Sequence, residues 1–177
     1  MKSQCWMKSI LIATFFLVGA AMAESGVDEL KMKKRVGLGV VAAGPFSVFG
    51  LELDINVTEE FSIGGGLGTG LDYSTFVLKG KYYLLGERFS PYVGGGLARW
   101  WTDGTSETNV SPSVLKNKFL SSSDLRDGFN IWLLYPALGI QYLHPMGFAL
   151  YAEVQALFKL PSLANGTYAG LGALLYF

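Results

Sequence analysis

Seven charged side chains lie within or beside apolar segments of this sequence, and they are the residues best suited to chemistry. Three are acids and four are bases: Glu52, Asp54, Glu153, Arg35, Lys79, Lys81 and Lys159. Gathered in one interior, they could conduct ions, catalyse proton transfer or neutralise one another. Buried charges must be paired, and three acids among four bases can pair. We therefore expect a salt-bridged plug that fills an interior, which argues against an open pore.

The other candidates for catalysis are weaker. Glu52 and Asp54 are two residues apart, about 7 Å between Cα atoms on a strand, but carboxylate spacing alone does not identify an acid–base pair. The one histidine, His144, falls in the sequence HPMG, where a turn residue is expected rather than a general base. The segment GLGVVA, 37–42, matches a dinucleotide fingerprint but lies inside a predicted strand with no helix after it. We expect no catalytic residue, no metal and no cofactor.

Bulk composition narrows the class of protein. Half of the 177 residues are hydrophobic, 23 are glycine, and the formal net charge is zero, which gives no basic surface for nucleic acid. The one cysteine, Cys5, lies in the extreme N-terminal segment. Disulfides, cysteine metal clusters and a cysteine nucleophile are therefore not expected in the rest of the chain.

Alternation of apolar and polar residues predicts the elements that position the charges. In FGLELDINV, 49–57, the odd-numbered residues are apolar, while Glu52 and Asp54 lie on the other face. Side chains alternate across a strand, so such a segment has one apolar and one polar face. Segments of this kind predict eight strands, at 34–43, 46–57, 61–71, 74–85, 90–101, 129–143, 148–160 and 168–177.

Eight two-faced strands fit two closed barrels that invert each other. A soluble ligand-binding barrel of the lipocalin type turns its apolar face inward, whereas a small membrane barrel turns it toward lipid. One face here carries Leu, Ile, Val and Phe almost continuously, while the other mixes charges with glycines. Long side chains inside a narrow barrel need the room that facing glycines leave. The pattern predicts an all-β, eight-stranded antiparallel up-and-down transmembrane β-barrel.

The first 23 residues have the composition of an export signal. Two lysines precede an apolar run, 10–23, which ends in the A-x-A cleavage site Ala21-Met22-Ala23. The run is shorter than the about 20 residues of a membrane helix, which favours a cleaved signal over an uncleaved anchor. We expect residues 24–33 to be a periplasmic segment and 34–177 to be the barrel.

The connections between the predicted strands differ on the two rims. Tight turns at 58–60, 86–90 and 144–147 share one rim, and a long loop, 102–128, lies on the other. This asymmetry is typical of outer-membrane barrels, and so are aromatic belts at both interfaces. The expected belts are Phe61, Tyr82, Phe89, Tyr92, Tyr142, Phe148, Tyr176 and Phe177 at one rim and Tyr73, Phe76, Trp100, Trp101, Trp132, Phe158 and Tyr168 at the other.

Two positions in the predicted strands do not fit the pattern. Arg99 lies in a segment of ambiguous parity and could face either side of the barrel. Pro136 lies within the sixth predicted strand, although proline cannot donate to a sheet ladder. A β-bulge at Pro136 is the expected accommodation.

The stretch RFSPYVGGGLA, 88–98, and the ending AGLGALLYF, 169–177, resemble the small outer-membrane β-barrels of Gram-negative bacteria, the OmpA/OmpX-like family. The resemblance covers residues 34–177. It implies an outer-membrane location among lipid and lipopolysaccharide. It also implies that the barrel assembly machinery reads the alternating residues of the last strand, Leu171, Ala173, Leu175 and Phe177.

We therefore expect a structural or surface-interaction protein that displays the loop 102–128 to an extracellular ligand or partner. Loops on a rigid scaffold often carry function. A small channel or apolar-solute conduit is the alternative. A soluble periplasmic ligand-binding barrel and a lipid-modifying enzyme are the further alternatives.

Overall fold

The computed structural model describes residues 26–70, 73–84, 88–103, 119 and 127–177. A helix, α1 (Gly26–Lys33), precedes eight strands: β1 (Val36–Ala43), β2 (Phe49–Asn56), β3 (Phe61–Thr69), β4 (Ser74–Tyr83), β5 (Phe89–Thr102), β6 (Phe129–Leu143), β7 (Phe148–Leu160) and β8 (Asn165–Tyr176). The predicted export signal and most of the loop 102–128 lie outside the described residues. Within the described part of the chain, no helix is long and apolar enough to cross a membrane.

The eight strands form one closed barrel in sequence order. Every strand pairs antiparallel with its neighbours in the chain, and β1 closes the barrel against β8. Followed once around the barrel, the pairing returns to β1 displaced by about ten residues. This displacement implies a strand tilt of about 40° and a radius of about 8 Å. The predicted fold is confirmed, with strand ends that differ from the predicted bounds by a few residues. An interior of this width holds side chains and little else.

The apolar faces of the strands point outward. Leu51 and Leu138 are 63% and 66% exposed, whereas Glu52 and Asp54 are fully buried inside the barrel. This arrangement is the inverse of a soluble ligand-binding barrel. Strand β5 follows the same rule, since Tyr92, Ala98 and Trp100 are buried while Val93 and Leu97 on the other face are exposed.

Aromatic side chains mark two levels on the outer surface. On β5, Phe89 and Trp101 share the outer face near opposite ends of the strand. Twelve residues at the usual rise and a 40° tilt place them roughly 30 Å apart along the barrel axis, which brackets an apolar band of about 25 Å. Five of the expected belt residues lie on the inner face instead: Tyr73, Tyr92, Trp100, Tyr168 and Tyr176.

No bulge forms at Pro136. Strand β6 keeps one register with β5, in which Pro136 faces Gly95. On the other side, Leu134 pairs with Phe158 and Ala137 with Gln155, so the register is the same before and after the proline. The prediction of a bulge is wrong because proline removes one backbone donor without adding a residue to the strand.

Candidate functional site

The barrel interior holds a cluster of two lysines and three carboxylates, which we call the lumen cluster: Glu52, Asp54, Lys79, Lys81 and Glu153. Lys81 Nζ lies 2.6 Å from Asp54 Oδ2 and 3.4 Å from Glu52 Oε1. Lys79 Nζ lies 2.8 Å from Glu52 Oε1 and 3.8 Å from Glu153 Oε1. All five side chains are at most 2% exposed. At these distances the charges form one connected network.

Glycines on β3 leave room for the lysines to cross the barrel. Gly64 pairs with Asp54 on one side and with Lys79 on the other, so no side chain separates β2 from β4 at this level. A Cβ atom at the neighbouring Gly66 would lie 2.0 Å from the backbone oxygen of Leu51. The glycines of this strand therefore serve close packing and give the charged side chains their space.

Tyrosines complete the hydrogen bonding of the carboxylates. The Tyr151 hydroxyl donates to Glu52 Oε2, and Lys79 Nζ donates to the Tyr151 hydroxyl at 3.1 Å. The Tyr92 hydroxyl donates to Glu153 Oε2 at 2.8 Å, and the Tyr176 hydroxyl donates to Asp54 Oδ2 at 2.9 Å. Three carboxylates face two lysines, so these hydroxyl donors help to stabilise the remaining negative charge.

Five of the seven predicted residues form this cluster, and the other two lie elsewhere. Arg35 is exposed before β1 begins, and its Nε donates to the Met32 carbonyl at 3.1 Å. Lys159 lies near the end of β7, where its Nζ donates to the Phe119 carbonyl at 2.8 Å. Alternation gives the face of a residue but not its depth, and these two residues lie at opposite rims of the barrel.

The sequence reasoning did not assign the tyrosines and Gln155 to the site. Gln155 Nε2 donates to Glu153 Oε1 at 2.6 Å. Tyr151 alternates with Glu153 and Gln155 along β7, so strand parity was a signal that could have placed it in the interior.

A 3₁₀ turn, Gly44–Phe46, covers the long-loop end of the lumen. Phe46 is fully buried, and the carbonyl of Pro45 accepts a hydrogen bond of 2.7 Å from Trp100 Nε1. Ser47 follows in a left-handed conformation, with φ 69°, and its hydroxyl is hydrogen-bonded to that of Tyr73. This inward fold of the β1–β2 connection was not foreseen, since the alternation predicted an earlier start of the second strand.

Helix α1 covers the opposite end of the lumen. Lys31 is 1% exposed, its Nζ lies 3.8 Å from the centroid of the Tyr83 ring, and it donates to the Glu59 carbonyl. Lys34 Nζ donates to the Met146 carbonyl at 2.8 Å, which ties the segment after the helix to the β6–β7 turn. Side chains of the described residues therefore fill both ends of the barrel.

The remaining sequence candidates occupy structural positions. His144 lies in the turn between β6 and β7, where its Nδ1 accepts a hydrogen bond from the backbone N–H of Met146. The G-x-G-x-x-A segment, 37–42, lies inside β1. Among the described residues, no group of three or more His, Cys, Asp or Glu side chains could hold a metal ion.

Two solved structures are similar to this chain to different degrees. The N-terminal β-barrel domain of Pseudomonas aeruginosa OprF superposes with a TM-score of 0.59 at 16% identity, over 81% of this chain and 98% of that one. The Yersinia pestis outer membrane protein Ail, solved in a phospholipid bilayer nanodisc, gives a TM-score of 0.43 at 13% identity over the same shares. No family model and no curated protein sequence matches the chain. At these identities the OprF domain shows a shared fold, that of the small eight-stranded barrels.

Proposed function

We propose that this protein is an outer-membrane β-barrel that acts as a closed structural scaffold and displays the loop 102–128 at the cell surface. The inverted barrel carries the proposal, because five charged groups are buried inside while apolar side chains surround the outside. Such a surface is unfavourable in water and suits a bilayer, where every backbone polar group must be paired and a closed barrel achieves this.

A surface-interaction role is supported by the length of one loop. Helix α1 and the end of β8 lie at the rim of the tight turns, and the loop 102–128 leaves the opposite rim from the two longest strands, β5 and β6. Phe119 within this loop is buried, with its ring 6.1 Å from that of Trp100. We expect the loop to be anchored at Phe119 and to present its remaining residues to an extracellular ligand or partner.

A channel is the second candidate function, and the packing of the lumen argues against it. The lumen cluster, Phe46 and Lys31 fill the middle and both ends of an interior that is about one side chain wide. Purified protein in a planar bilayer is expected to give no stepwise conductance. Reproducible single-channel steps would contradict the closed lumen.

The membrane location is tested by separating outer membranes and comparing boiled with unboiled samples on a gel. A folded membrane barrel resists detergent and migrates differently until it is boiled. We expect the protein in the outer-membrane fraction with a heat-dependent shift. Recovery in the periplasmic fraction would contradict the proposal.

The assembly signal is tested by Phe177→Ala, which removes an outward ring from the end of β8 that is 65% exposed. We expect less folded protein in the outer membrane but a normal heat shift after refolding in detergent, because assembly and not stability is affected. Met146→Ala, at a similarly exposed apolar side chain in a turn, is the matched control. Equal yields from the two variants would remove Phe177 from the signal.

The orientation is tested with an epitope inserted in the loop 102–128 and, separately, in the turn 144–147. We expect antibody to bind the first insertion on intact cells and the second only after the membrane is permeabilised. The reverse result would invert the proposed topology.

A further inference from the structure

Arg99 is unlike the other charged residues of the strands. Within the eight described strands, Arg99 is the one charged residue that points outward. The six others lie on inner faces: Glu52, Asp54, Lys79, Lys81, Glu153 and Lys159. Arg99 lies three residues before the end of β5, at the long-loop rim and at the level of the outward tryptophans. A cation near the interface of a lipid-facing strand costs little, and it lies at the depth of the lipid head groups.

Two indole rings and one amide fix the orientation of the Arg99 guanidinium. Its central carbon lies 5.4 Å from the ring centroid of Trp101 and 5.8 Å from that of Trp132. Its Nε donates to Asn130 Oδ1 at 3.0 Å. A guanidinium has five N–H donors, and this bond uses the one on Nε. The guanidinium is therefore held in place, and the N–H groups of its two terminal nitrogens remain available to donate hydrogen bonds to a ligand.

The partner of Arg99 is not a carboxylate of the described chain. The ion pairs of α1 and of the lumen cluster all involve lysines, and none of them includes Arg99. A planar cation with two terminal nitrogens matches the oxygens of a phosphate, which it can bind through two parallel hydrogen bonds. The flanking indoles exclude water from one side and strengthen such a bond.

An apolar groove lies on the outer surface toward the membrane centre from Arg99. Its volume is about 550 Å³, and its upper wall includes Leu97, the next outward residue on β5, and Phe76, which pairs with Arg99 across β4. Its floor includes Gly80 and Gly95, which pair directly and carry no side chains to fill the space. A phosphate next to an apolar groove is the layout of a phosphorylated lipid.

We propose that Arg99, held by Trp101, Trp132 and Asn130, binds a phosphate of the lipid A part of lipopolysaccharide, with one acyl chain in the groove over Gly80 and Gly95. This inference rests on the proposed function, because the outer-membrane location and the orientation place the long-loop rim in the leaflet that contains lipopolysaccharide. The site gives the barrel a fixed lipid neighbour on the β2–β6 side.

The test is a titration of the detergent-folded protein with lipid A, followed by native mass spectrometry. We expect Arg99→Gln to weaken lipid A binding about tenfold to a hundredfold, the usual effect of losing hydrogen bonds to a charged group. Arg35→Gln, at an exposed arginine on the opposite rim, is the matched control and is expected to bind like the wild type. Equal binding by the wild type and Arg99→Gln would overturn the proposal.

Two further comparisons separate phosphate from acyl-chain recognition and one lipid from another. Dephosphorylated lipid A is expected to bind the wild type as weakly as lipid A binds Arg99→Gln. Gly80→Leu fills the groove without a backbone clash, since a Cβ atom at Gly80 would lie 3.5 Å from the Phe61 ring and 3.9 Å from the Ser62 carbonyl oxygen. It is expected to weaken binding severalfold. Phosphatidylglycerol that binds as tightly as lipid A would overturn the assignment to lipid A.

The heat shift of each variant on an unboiled gel is recorded in parallel. A normal shift without lipid A binding would refute the site and leave the proposed outer-membrane barrel standing. Absence of the shift in the wild type would refute the proposed function itself.

Discussion

Leu138→Arg probes whether the outer face of the barrel is in contact with lipid. Leu138 is 66% exposed and lies near the middle of β6, two residues from the strand centre at Pro136. With a rise of about 3.3 Å and a tilt of about 40°, its side chain is roughly 5 Å from the plane through the barrel centre. Arginine on a lipid-facing strand costs about 2–4 kcal/mol at the midplane and about 0–1 near the interfaces. We expect the free energy of unfolding to fall by about 2–3 kcal/mol, which changes the folding equilibrium by about 30-fold to 150-fold.

The assay is a denaturant titration of protein refolded in phospholipid vesicles, followed by tryptophan fluorescence and by gel mobility. The control is Met146→Arg, because Met146 is 74% exposed but lies in the turn between β6 and β7, at the rim. This control is expected to change stability by less than about 0.5 kcal/mol. In a water-soluble barrel both exposed positions would accept arginine equally well. Equal effects of the two substitutions would therefore refute a lipid-facing surface.

Further predictions concern the lumen. Lys81→Met leaves the buried Asp54 carboxylate without its closest cation and is expected to destabilise the barrel by about 3–5 kcal/mol in the same titration. Lys81→Met combined with Asp54→Leu is expected to recover much of this loss. No recovery would mean that the unpaired carboxylate is not the cause of the destabilisation. Gly96→Ala brings a Cβ atom to 1.9 Å from the Leu78 carbonyl oxygen and is expected to reduce the yield of heat-shifted protein. Gly80→Ala brings a Cβ atom only to ordinary contact, 3.5 Å from the Phe61 ring, and is not expected to reduce it. Similar yields would contradict the role assigned to close packing.

Much of the fold could be predicted from the sequence because a barrel of this kind has a strict period of two. The alternation in FGLELDINV placed Leu51 and Leu53 outside and Glu52 and Asp54 inside, as the structure has them. Alternation gave the number of strands for the same reason. It could not place Arg99, because three consecutive glycines before it, 94–96, carry no side chains that mark a face.

The composition of the site was less predictable, because alternation gives the face of a residue and not its depth. Arg35 and Lys159 have charges that suited the lumen, but their distance from Glu52 depends on register and tilt, which only long-range pairing fixes. Helix α1 was not foreseen either. Eight residues are too few for a stable isolated helix, and this one is held by tertiary contacts such as that of Lys31 with Tyr83.

The closure of β1 against β8 has a consequence for the time course of folding. Val41 on β1 pairs with Gly172 on β8, so the contact that completes the barrel joins residues from opposite ends of the chain. Such a contact has the largest loop-closure entropy of any in the structure and raises the contact order, which slows folding. Until it forms, two strand edges and the apolar outer face are open to pairing with other chains. The interval between synthesis and closure is therefore when this chain is most exposed to aggregation.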